Sequence, residues 1–182
     1  MLSTDEAIER SEKKLRQADF FLGHLRRLTT PGRVNESMEF YLGASMTAAQ
    51  SAFYVLDDNV SAFKQEHRCW RKARNEDDRG FLNRMIKLRD DDVHQGMVDA
   101  TVRHTYVDAA RVPGVKVLAH PDASVEMQNP DGTTIRAPVL MGSDTLYIEH
   151  GDRRIEAAVA CQRFIALLRD LVQHFKHTIA AA

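Results

Sequence analysis

The segment Arg89-Asp90-Asp91-Asp92-Val93-His94 holds residue types able to act on a phosphodiester. A neutral histidine accepts the proton of a ribose 2′-hydroxyl as that oxygen attacks the adjacent phosphorus. A guanidinium is planar and permanently charged, and it presents donors to the oxygens where transition-state charge collects. Spacing decides how the two can cooperate. Five residues at ~100° each set Arg89 and His94 about 140° apart around a helix, so they do not share a face. Asp90 and His94 are one turn apart and do share one, which lets Asp90 orient the imidazole and raise its pKa. The same residues also admit a structural reading. Arg89 then pairs with Asp92 one turn on, and His94 is a favourable cation at a helix C-terminus. Three successive aspartates, moreover, repel phosphate.

A second cluster is the basic run from His67 to Arg74. In a helix Arg68, Arg71 and Lys72 form a stripe that could hold an RNA backbone, with Trp70 able to stack on a base. The preferred reading is a solvated helix face with Trp70 turned into the core, because Asn75-Glu76-Asp77-Asp78 cancels much of the local charge. His174 and His177 lie three apart but have no cysteine or carboxylate at ligand spacing, so no metal site is expected. There is no Gly-x-Ser-x-Gly elbow and no glycine-rich phosphate loop, and no cofactor is expected.

The elements that position these residues follow from periodicity. Residues 3 to about 29 predict a helix capped by Ser3 or Thr4, with Ile8, Leu15, Ala18, Leu22 and Leu25 at helical spacing. Thr30-Pro31-Gly32 stops it. A second helix is expected from about Glu36 to Asp57, capped by Asn35, its small-residue face running through Phe40, Ala44, Ala48, Ser51 and Val55. Helices at 61–75 and 79–94 follow, the latter carrying Phe81, Leu82, Met85, Ile86 and Leu88, with Gly96 at the C-cap position. Val112-Pro113-Gly114 breaks the pattern. Short strands are expected at 115–118, 124–128, 133–136 and 145–149, with Asn129-Pro130-Asp131-Gly132 as a turn. A last helix from about Arg154 to Ile179 bears a long apolar stripe from Ile155 through Cys161, Leu168 and Phe175. The expected fold is mainly α: one domain spanning 1–182, an antiparallel four- to five-helix bundle with a small β-hairpin insertion at about 112–150, before the last helix.

An Arg, a polar residue after it, and a His four residues further on, late on a helix of a small bundle, resembles the HEPN family. Arg89, Asp90 and His94 match that signature, and Val93-His94-Gln95-Gly96 looks like the end of the corresponding helix. The stretch Met38 to Leu42, with Ala48 to Ala52, is similar to the family's earlier small-residue helix. The resemblance covers 1–100 and 154–182 and leaves out the β region. It implies a metal-independent endoribonuclease acting as a homodimer, its two Arg/His motifs meeting in one cleft, in a toxin or defence role with a protein antitoxin or a regulatory protein as partner. Arg89 and His94 would be catalytic and Asp90 supporting. Family members without nuclease activity also exist, so a non-catalytic dimerisation or interaction module is the alternative.

Composition bounds both readings. The 182 residues are 43% hydrophobic and 28% charged, enough to bury a core without staples. A net charge of −1 removes any global basic excess, so RNA contact has to be local. No apolar run approaches the ~20 residues that span a bilayer, and no membrane partner is expected. The polar start from Met1 to Arg10 and two isolated cysteines, Cys69 and Cys161, point to a reducing, cytoplasmic setting.

Overall fold

A computed structural model describes residues 2–28, 36–95, 101–105, 116–119, 124–128, 130–138 and 143–180. It is mainly helical. Helix α1 spans Thr4–Leu28, α2 Glu36–Asn59, α3 Phe63–Lys72, α4 Glu76–Gln95 and α5 Ala157–Ala180.

Capping starts α1 as its residues dictate. The Glu6 amide donates to Ser3 Oγ at 3.2 Å, and the Ser3 amide donates back to Glu6 Oε2 at 2.8 Å. The expected apolar positions Ile8, Leu15, Ala18, Leu22 and Leu25 are all buried. The expected Asn35 cap of α2 lies outside the described residues.

The buried face of α2 differs from the expected one. Met38, Leu42, Met46, Ala49, Ala52 and Leu56 are buried; of the expected face Ala48 is buried too, whereas Phe40 is 73% exposed and Ala44, Ser51 and Val55 are only partly covered. Small residues line both sides of this helix, so they do not choose between its faces. The larger apolar area of Met38, Leu42, Met46 and Leu56 does. Close approach is used all the same, on this buried face. Ser11 Oγ donates to the Ala52 carbonyl at 2.8 Å, and Ser45 Oγ to the Ala18 carbonyl at 3.1 Å, both buried, pinning α1 to α2.

Helix α5 buries a wider stripe than its spacing suggests. Ala157, Ala160, Phe164, Leu167 and Leu171 join the expected Cys161, Leu168, Val172 and Phe175. It packs on α1, α2, α3 and α4, and so forms the spine of the core. Burial pushes the Cys161 thiol up to about 12, which makes it a packing group with no nucleophilic character.

The β region precedes the last helix, as expected, but is larger than a hairpin at 112–150. Strands β1 (Thr101–Thr105), β5 (Ser143–His150) and β6 (Arg153–Glu156) form one antiparallel sheet in the order β1-β5-β6. Strands β2 (Lys116–Ala119), β3 (Ser124–Gln128) and β4 (Thr134–Pro138) form another in sequential order. In the β3–β4 turn the Asp131 carboxylate accepts from the Thr133 amide at 2.9 Å, and Gly132 takes φ of 86°, which the turn motif in the sequence anticipates. Leu146 and Ile148 of β5 are buried in the helical core. The first sheet is therefore docked on the bundle.

Candidate active site on helix α4

Helix α4 is held in the core by Phe81, Leu82, Met85 and Leu88, all buried. Its two ends carry different chemistry. At the N-terminus Asn75 Oδ1 accepts from the Asp78 amide at 2.8 Å, while Asn75 Nδ2 donates to Asp78 Oδ2 at 3.0 Å. Asp77, in the same first turn, gathers two guanidinium groups and an imidazole from three other positions. Arg163 of α5 donates to it at 2.7 Å, Arg153 of β6 also donates to it, and His150 Nε2 of β5 lies 3.3 Å away. Arg163 reaches Asp78 as well, at 2.6 Å, and its guanidinium carbon sits 4.4 Å from the Phe81 ring centre. The hydrogen bond from Arg163, followed by that from Arg153, lowers the Asp77 carboxyl to about 2.

At the C-terminal end stand the residues of the sequence motif. Arg89 is mostly covered, its side chain 20% exposed, and its Nη1 donates to Asp90 Oδ1 at 3.1 Å. Its Nε is buried without a hydrogen-bond partner among the described residues. Asp90 thus gives one oxygen to the neighbouring guanidinium while staying 43% exposed. His94 lies in the last turn of the same helix, but its side chain, with those of Asp91 and Asp92, is outside the described residues. The proposed Asp90–His94 contact and the alternative Arg89–Asp92 pair therefore fall outside them too. Gly96 does likewise.

The basic stripe on α3 is split by exposure. Arg68 and Lys72 are exposed, whereas Arg71 is half-buried and donates to Asn83 Oδ1 on α4. Trp70 is buried, as the preferred reading of the sequence has it, and is not available to stack on a base. Its indole N–H donates to Asp170 Oδ2 at 2.7 Å, and Arg74 both pairs with that carboxylate at 3.1 Å and lies over the ring at 4.8 Å. His174 Nε2 lies 3.7 Å from Glu66, and His177 is exposed. No group of three or more histidines, cysteines or carboxylates converges among the described residues.

Comparison with protein-family models, with curated proteins and with solved structures finds no match to this chain.

Two clusters escaped the sequence. The Asp77–His150–Arg153–Arg163 group joins residues far apart in the chain, and only the acids in the first turn of α4 gave it a signal. The other is a buried amide, Gln50, 3% exposed inside α2. A glutamine among alanines and serines resembles any polar surface position, so nothing in the local pattern marked it.

Proposed function

We propose that this chain is a HEPN-like, metal-independent endoribonuclease that acts as a homodimer, in a toxin or defence role. The observation that carries the reading is the placing of the Arg89/His94 motif on the final turns of one helix whose preceding turns are anchored in the core. A rigid helix end is a suitable mount for groups that must meet a phosphodiester within a fraction of an ångström.

In this mechanism His94 takes the 2′-hydroxyl proton, the oxygen attacks phosphorus, and the bond to the 5′-oxygen breaks as that oxygen takes up a proton from water. The products are a 2′,3′-cyclic phosphate and a 5′-hydroxyl end. Arg89 donates to the non-bridging oxygens as charge builds there. Asp90 already holds Arg89 and, one turn before His94, is spaced to steady the imidazole. Because Arg89 and His94 diverge around the helix, the second copy completes the site, with one chain's Arg89 facing the other's His94. Arg68 and Lys72, both exposed on α3, contribute RNA-backbone contacts. Arg71, partly covered, contributes less. A toxin of this kind has a protein antitoxin as partner. The setting is the cytoplasm, which suits an exposed free thiol at Cys69; among the described residues no helix is long and apolar enough to cross a membrane.

The test is cleavage of a mixed RNA panel in chelator by the wild type and by Arg89→Ala and His94→Ala. The reading expects chelator-resistant cleavage with cyclic-phosphate ends, lost in both variants while they stay folded. An intact panel counts against it.

A second reading, a non-catalytic dimerisation module, draws on a different surface. Phe20 is 61% and Phe40 73% exposed, and the rings of Phe20, His24 and Tyr41 follow one another at 4.6 and 5.0 Å. Exposed aromatic patches of this kind mark association surfaces. On this reading Phe40→Asp changes the oligomeric state, and Arg89→Ala and His94→Ala change no functional property.

A further inference from the structure

Helices α2, α3, α4 and α5 enclose a cleft of about 120 Å³. Phe53, Leu82, Phe164 and Leu168 give it apolar walls, and the ring of Trp70 lines it as well. Within it lies the amide of Gln50, 97% shielded from solvent. Gln50 Nε2 donates to the Tyr54 hydroxyl at 3.1 Å, while Oε1 is buried and has no hydrogen-bond partner among the described residues. A buried acceptor without a donor is costly, and native interiors rarely keep one unless something else supplies the donor.

The rest of the lining has its own polarity. His67 is packed edge-on to Phe53 at 4.8 Å. Burial, then the charge of Arg71, hold its imidazole below the usual histidine range, so it lines the cleft as a neutral ring. Arg71 is partly exposed, and its hydrogen-bond partner, Asn83, is an uncharged amide. Among the described residues no carboxylate neutralises it. The cleft thus offers an apolar slot, one acceptor deep inside and one cation toward solvent. An apolar cavity of roughly 150 Å³ takes up benzene; at about 120 Å³ but open toward solvent, this cleft takes at most a single six-membered ring.

We propose that the cleft is a binding site for a monocyclic aromatic acid bearing a ring hydroxyl. The ring lies between Phe53 and Phe164, the hydroxyl donates to Gln50 Oε1, and the carboxylate faces Arg71. This site is separate from the Arg89/His94 motif and does not depend on the RNA-cleavage reading.

The chain has one tryptophan, and it lines the cleft, so Trp70 emission reports occupancy directly. The 182-residue chain is titrated with 4-hydroxybenzoate, benzoate and phenol, following both heat and emission. Saturable binding of 4-hydroxybenzoate is expected, with benzoate weaker by about tenfold for want of the donor. Gln50→Leu closes that gap, and Arg71→Gln weakens 4-hydroxybenzoate while sparing phenol. No saturable binding overturns the proposal, as does equal affinity of the wild type for 4-hydroxybenzoate and benzoate. That comparison needs no variant, so it decides the matter even if Gln50→Leu fails to fold.

Discussion

Asp77 is an exposed carboxylate made strongly acidic by its neighbours, and its titration has a definite sign. Its folded value of about 2 lies below the ordinary 3.8, so the contribution it makes is complete above the ordinary value and is lost as pH falls toward 2. Asp77→Asn should therefore flatten the acid limb of the stability curve between about pH 4 and 2 and leave the neutral region's slope unchanged; urea melts across that range measure it. Trp70 makes a different kind of contribution. Trp70→Phe removes the donor to Asp170 and part of the ring beneath Arg74. The expected cost is ~2 kcal/mol, read by chemical denaturation, since the bond is to a charged acceptor. At Arg89 the outcome rests on the proposed function. Arg89→Ala should lower chelator-resistant RNA cleavage by ~10²-fold or more, since it removes donors aimed at developing charge.

Helix α4 links these residues. Its first turn is tied through Asp77 and Asp78 to β5, β6 and α5, and its last two turns carry the motif. Asn75→Ala, which removes the cap, should cost ~1 kcal/mol and lower the melting temperature without altering the helix's apolar packing. The helices were largely legible, because Ile8, Leu15 and Leu22 on α1 or Phe81, Met85 and Leu88 on α4 repeat at helical spacing and are indeed buried. The β3–β4 turn was legible too, from Pro130-Asp131-Gly132. Partners across long stretches of chain were not. Strand β1 pairs with β5 through Thr101 and Tyr147, and no local period announces that pairing. The face of α2 was misjudged because alanines and serines flank both sides of the helix, and burial followed the bulkier Met38, Leu42 and Met46. As for the candidate site, its residue types and their helix could be read from spacing, whereas the covering of Arg89 and its pairing with Asp90 depend on packing that spacing does not encode.

The whole molecule sets α5 as a spine, packs α1 to α4 against it, and docks one sheet through Leu146 and Ile148. Helical spacing sets Arg89 and His94 about 140° apart, so the proposed catalysis requires two copies. Light scattering should report a dimer, and mixing Arg89→Ala chains with His94→Ala chains should restore part of the activity that each lacks, because one of the two composite sites is then intact. The central claim is tested most directly by incubating the wild-type protein and His94→Ala with RNA in excess chelator and analysing the ends produced. The account expects cyclic-phosphate and 5′-hydroxyl ends from the wild type and at least ~10²-fold fewer from the folded variant. Uncut RNA with the wild type, or equal cleavage by both, would contradict it.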